Sequence, residues 1–141
     1  MKIEDSSNAM YDQFVKALEI RGLKQTQERF TILREILEID IPFPIDFLRK
    51  QLLSKKYYVS RSTLYNTLNL MEEIGLVDKF FLHGKSYYEL HSVHKNLYVI
   101  VSQDEKKEIT LEEDLEMFLI SHVEKRYNVA IKGMKITFFQ N

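Results

Sequence analysis

Apolar positions near the start of the chain fall at helical spacing. Met10, Phe14, Val15 and Leu18 repeat at intervals of three and four up to Ile20, and Gly22 stands where a helix leaves its last turn. This predicts a first amphipathic helix after a frayed polar stretch, residues 1–8. Thr26 is a candidate N-cap because its hydroxyl accepts from an amide one turn in, and Phe30, Leu33, Ile36 and Leu37 carry a second helix to about Ile39. Both prolines, Pro42 and Pro44, interrupt the pattern, and Pro44 suits the first turn of a third helix over 45–56 with Phe47, Leu48, Leu52 and Leu53 on its apolar side. Ser60 is a second candidate cap. From there Leu64, Leu68, Met71 and Ile74 repeat until Gly75.

The period then changes from helical to alternating. Residues 76–81 are β-branched and aromatic, His83-Gly84-Lys85 reads as a turn, and 86–90 as a return strand, which together predict a hairpin. The last three of these helices followed by a hairpin, with a short linker between the third and fourth, is the order of a winged helix-turn-helix. Past Leu90 the pattern predicts a strand over 97–102, a turn at 103–106 and a shorter strand to Thr110. A helix over 112–127 follows, with Leu115, Phe118, Leu119 and Val123 on one stripe, then a closing strand over 129–139. The fold class is therefore α+β: a winged-helix DNA-binding domain over 1–90, a hinge at 91–96 and a small β-β-α-β dimerisation domain over 97–141. About 50 residues bury little surface alone, so pairing with a second copy is expected for that second domain.

Charge redraws this picture. Over 141 residues, 20 Lys and Arg against 21 Asp and Glu leave a net charge of −1, unlike the basic balance of non-specific nucleic-acid binders. The average hides a segment: residues 47–71 contain Arg49, Lys50, Lys55, Lys56 and Arg61 and no acid, a local +5 over the two helices that a helix-turn-helix lays on DNA. The acids gather elsewhere, at Glu72-Glu73 and at Glu112-Glu113-Asp114-Glu116, the last cluster matching the positive end of its helix. The fourth helix opens Ser60-Arg61-Ser62-Thr63-Leu64-Tyr65-Asn66. Arg61 suits guanine or phosphate, the hydroxyls of Ser60, Ser62 and Thr63 suit phosphate or base edges, Tyr65 suits a thymine methyl and Asn66 adenine. Ser60 as a plain cap and Tyr65 packed on the wing are the structural alternatives. No secretory signal and no apolar run long enough to span a bilayer occur in the sequence, so a cytoplasmic protein without membrane attachment is expected.

Leu23-Lys24-Gln25-Thr26 with Arg29, then Ser62-Thr63-Leu64-Tyr65-Asn66-Thr67-Leu68, Gly75-Leu76-Val77 and Tyr88-Glu89-Leu90 resemble, in order, the ferric uptake regulator (Fur) family. The resemblance implies a homodimeric winged-helix repressor with metal sites in its hinge and second domain. It places Lys24 toward the minor groove, Arg29 on a phosphate and Tyr65 on a base. Asn66 departs from the family, which usually carries a basic residue there.

The metal side of the resemblance is thin. There is no cysteine, so no four-cysteine zinc site exists, and the family's Cys-x-x-Cys falls on Val99 and Ser102. The hinge reads His91-Ser92-Val93-His94-Lys95-Asn96, with Lys95 and Asn96 where the family ends in Asp-His. Glu89 and His94 fall on ligand positions. With His91, and a distant group such as His122, they form a candidate reduced site for a weakly bound iron, zinc or manganese ion; the alternative is histidines that only hydrogen-bond or face solvent. No catalytic triad, phosphate loop or zinc-protease pattern occurs, so no enzyme activity is expected. The expected function is sequence-specific regulation of transcription through double-stranded DNA, with metal response reduced or lost. The alternative is a winged helix that binds protein and no longer DNA.

Overall fold

The helix ends of the computed structural model, which describes residues 2–91, 96–102 and 105–140, follow local capping chemistry. The order is α1 (Lys2–Ile20), α2 (Gln27–Glu38), α3 (Ile45–Ser54), α4 (Arg61–Glu73), β1 (Val77–Leu82), β2 (Lys85–Leu90), β3 (Asn96–Ser102), β4 (Glu105–Ile109), α5 (Glu113–Tyr127) and β5 (Met134–Gln140). The Thr26 hydroxyl accepts from the Arg29 amide at 3.3 Å and Ser60 from the Thr63 amide at 3.2 Å, which starts α2 and α4 where those residues predict. Gly22 and Gly75, at φ +64° and +79°, end α1 and α4. In each case the glycine and the next residue donate back to two carbonyls of the last turn.

Three expectations need correction. The helix expected to begin after residue 8 begins at Lys2, because extending an existing helix adds one hydrogen bond for each residue fixed and needs no new nucleus. Leu53, assigned to the apolar side of α3, is 44% exposed; Leu48 and Leu52 are buried from that helix, with Phe47 and Ile45 half-buried against the same core. The closing strand starts at Met134 and not at 129: Asn128 takes the left-handed conformation at the end of α5, and the Ile131 amide is held by the Glu124 carboxylate at 3.0 Å, so 129–133 form a connection.

The chain divides into two compact units, Met1–His91 and Ser92–Asn141. The core of the first is built from Phe14 and Leu18 of α1, Ile32, Leu33 and Ile36 of α2, Leu48 and Leu52 of α3, and Leu64, Leu68 and Met71 of α4. β1 and β2 form an antiparallel hairpin in which Val77 faces Leu90 and Leu82 faces Lys85. Its two-residue turn, His83-Gly84, has positive φ at both positions, the geometry whose twist matches the strands. The segment between α2 and α3 does more than break a helix: Phe43 exchanges both backbone hydrogen bonds with Tyr88, at 2.9 and 2.8 Å, and fastens the hairpin to the helices.

In the second unit β3 lies central, antiparallel to β4 and parallel to β5, in the order β4-β3-β5. Parallel pairing requires a long connection between the paired strands, and β4 with α5 provides it. Tyr98, Val99 and Val101 are buried. The apolar stripe of α5 is left largely uncovered: no residue of the helix is buried, Leu119 is half-buried, and Leu115, Met117, Phe118, Val123 and Tyr127 are exposed.

Candidate nucleic-acid interface

A reading helix needs one face held by the protein and the other left to the solvent. In α4, Leu64, Thr67, Leu68, Leu70 and Met71 are buried, while Ser60, Arg61, Ser62, Tyr65 and Asn66 are exposed. Both ends of the helix are fixed. Arg61 pairs with Asp46 of α3 at 3.3 Å at the N-terminal end; at the other, the Gln13 side chain donates to the Ile74 carbonyl at 2.7 Å and Arg21 pairs with Glu73. Gln13 of α1 and Arg21 just past its end thus hold the C-terminal end of α4.

The predicted contact residues are not equally available. The Ser60 hydroxyl caps the helix and donates to the Thr63 hydroxyl at 2.8 Å, with the Ser62 hydroxyl 3.3 Å away. Thr63 is half-buried against this cluster; Ser62 is exposed. Tyr65 is 40% exposed and lies close enough to the buried Tyr88 to influence it: burial pushes the Tyr88 hydroxyl up from its ordinary pKa, and Tyr65 and then Glu72 add to the shift. Tyr65 therefore both borders the hairpin and presents surface. Lys24 lies in the loop before α2 and Arg29 in its first turn; the guanidinium of the half-buried Arg29 donates to the Lys24 carbonyl, and Lys24 is exposed. Asn69 escaped the sequence reading. It is exposed four residues after Tyr65 and three after Asn66, so it extends their face, and that spacing was the available signal.

Two of the five window charges have partners that linear counting placed outside the window. Lys55 bridges Glu35 at 2.8 Å and Glu38 at 2.7 Å, and the Glu35 side chain is only 6% exposed. The hydrogen bonds that the Lys55 ammonium donates to these two carboxylates raise the Lys55 pKa, and the one to Glu38 holds Glu38 below its ordinary value. Arg61 is shared with exposed Asp46. Among the described residues Arg49, Lys50 and Lys56 form no ion pair.

The metal candidates do not assemble into a site among the described residues. His94 and most of the hinge, residues 92–95, lie outside them. His91 Nδ1 stands 3.1 Å from both carboxylate oxygens of Asp78, and Asp78 is paired across the hairpin with Glu89, yet no three His, Asp or Glu side chains converge. His122 stacks on Phe118 within α5 at 6.1 Å. Asn96 uses both ends of its amide: Oδ1 accepts from the Met134 amide at 3.1 Å, and Nδ2 donates to Glu116. Tight divalent sites need three or four protein ligands, so the described donor set does not fit one.

The ferric uptake regulator family pattern matches residues 20–139. The ferric uptake regulation protein of Haemophilus ducreyi is 30% identical over 95 residues, and the chain spans 64% of that relative's length as of its own. The crystal structure of the Vibrio cholerae ferric uptake regulator is 25% identical, covers 89% of this chain and 97% of that one, and superposes with a TM-score of 0.67. The Helicobacter pylori regulator, described as having three functional metal binding sites, shares the fold at 15% identity, with a TM-score of 0.69 over 94% of this chain and 89% of that one. Among the described residues no helix is long and apolar enough to cross a membrane.

Proposed function

The chain belongs to the ferric uptake regulator family, whose members are transcription regulators and not enzymes, and from this premise we propose that it is a homodimeric repressor that binds double-stranded DNA by sequence, with its response to divalent metal reduced or lost. The observation that carries the reading is the exposed polar face of α4, clamped at both ends and backed by core. In this reading residues 1–90 bind DNA, 91–96 form the hinge and 97–141 the dimer. Arg61, Tyr65 and Asn66 reach base edges in the major groove, while Ser60, Ser62, Thr63 and Arg29 lie at phosphates and Lys24 at the minor groove.

Dimerisation is supported by α5, which has no buried residue and exposes Phe118 and Tyr127 at 63% and 66%. Surface of that kind calls for a partner, and a second copy has the matching face. Reduced metal response is supported by the absent cysteines and by the His91–Asp78 pair, which lacks a third donor among the described residues. The reading places the protein in the cytoplasm, where its DNA is.

Fluorescence anisotropy with duplex fragments of the upstream region of its own gene tests the reading, across several salt concentrations and with chelator or added manganese. Expected are a steep salt slope, loss of specific binding in Arg61→Ala and Tyr65→Ala, and little change with metal. Salt-independent or absent binding in every condition overturns the DNA reading and favours a protein-binding winged helix. A stoichiometric metal in protein purified without chelator overturns the reduced-metal reading.

A further inference from the structure

The turn between α3 and α4 combines a disfavoured backbone conformation, an unneutralised cation and two solvent-facing aromatics. Lys56 sits at φ +65°. Its amide donates to the Leu53 carbonyl and the Tyr57 amide to the Leu52 carbonyl, both at 2.9 Å, the same pair of bonds that ends α1 at Gly22 and α4 at Gly75. The left-handed region crowds a Cβ against the following carbonyl, which is why glycine normally ends helices this way. Glycine would close α3 equally well, so the fold does not account for a lysine here. Strain of this kind points to a use for the side chain.

The neighbouring charges sharpen the point. Lys55 is held by Glu35 and Glu38, and Arg61 is shared with Asp46, whereas Lys56 is exposed and forms no ion pair among the described residues. Beside it Tyr57 and Tyr58 are 40% and 79% exposed. The three residues lead directly into Ser60 and the exposed face of α4.

We propose that Lys56 and Tyr58 form a second, sequence-independent DNA contact, in which the Lys56 ammonium neutralises one backbone phosphate beside the groove entered by α4 and the Tyr58 hydroxyl donates to a neighbouring phosphate oxygen. Contacts of this type fix register on the duplex and carry no base information. The inference rests on the DNA-binding reading above and adds residues to that surface.

The test uses the full chain, the upstream duplex and an unrelated duplex of equal length. Lys56→Gly should melt no lower than wild type, yet bind both duplexes more weakly by a similar factor. Its salt slope should be shallower by about 0.9, so that over a fourfold rise in salt wild type loses about 3.5-fold more affinity than the variant. Lys56→Gln, which keeps the Cβ, should show the same change in slope, and Lys56→Arg should restore it. Tyr58→Phe should weaken both duplexes with the slope unchanged. If wild type binds, Arg61→Ala loses specificity, and the Lys56 variants keep wild-type affinity and slope, this inference is overturned and the DNA reading stands. If wild type binds neither duplex, both fall.

Discussion

Two buried threonines on helices of the first unit differ in one respect, and the difference predicts opposite signs for the same substitution. Thr31 of α2 is 7% exposed, and its hydroxyl donates to the Gln27 carbonyl at 2.9 Å. Thr67 of α4 is 1% exposed, and its hydroxyl has no hydrogen-bond partner among the described residues. Burying a hydroxyl without a partner costs about 1–3 kcal/mol judged from protein substitutions, while an ordinary made hydrogen bond contributes about 0.5–1.5 kcal/mol net. Valine keeps the branched shape and has similar helix propensity, so the hydroxyl is the main thing changed. Thr67→Val should therefore stabilise the first unit by at least about 1 kcal/mol, and Thr31→Val should destabilise it by about 0.5–1.5 kcal/mol. For a unit of this size each kcal/mol moves the melting temperature by about 4–8 °C. Thermal melts followed by circular dichroism, with urea titrations to obtain free energies, read both. Because Thr67 faces the core, Thr67→Val should also bind DNA as wild type does. A Thr67→Val protein no more stable than wild type, or a Thr31→Val protein equally stabilised, would refute the reasoning.

The other expectations concern a cap, an ion-pair cluster and the dimer face. Thr26→Ala removes the acceptor for the Arg29 amide and should cost about 1 kcal/mol, seen as a lower melting temperature. Lys55→Met leaves the buried Glu35 carboxylate without its cation and should melt lower than wild type near pH 7. Glu38 is held below its ordinary 4.5 and Lys55 above its ordinary 10.5, so the cluster's contribution is whole between those values. It is lost as pH falls through the depressed Glu38 value or rises through the raised Lys55 value; melts at pH 3 and pH 7 should show the gap between wild type and variant shrinking at the lower pH. Phe118→Asp places a charge on the exposed apolar face of α5 and should convert a dimer to monomers in sedimentation velocity; an unchanged mass would remove α5 from the interface.

Helix ends marked by a capping side chain or a glycine were legible because capping is local: Thr26, Ser60, Gly22 and Gly75 act on amides and carbonyls within a turn of themselves. The Lys56 terminus was not legible, since lysine carries no preference for left-handed backbone. The pairing of Phe43 with Tyr88 was likewise hidden, because it joins segments 45 residues apart and leaves no periodicity behind. At the site, Ser60 to Asn66 were visible as residue types, but which of them face outward depended on the helix's docking. Thr63 turned toward Ser60, and Asn69 came forward in its place.

The basic segment of the first unit shows the division most clearly. The sequence by itself determined the element types, the α+β class, the absence of thiolate chemistry and a run of five bases without an acid. Only the tertiary structure decided what those bases do. Folding brought Glu35, Glu38 and Asp46 from outside the run onto Lys55 and Arg61, and left Arg49, Lys50 and Lys56 without ion pairs among the described residues. Charges interact across space with a reach of a few ångströms, not along the chain, so a count by residue number cannot locate a field that packing assembles.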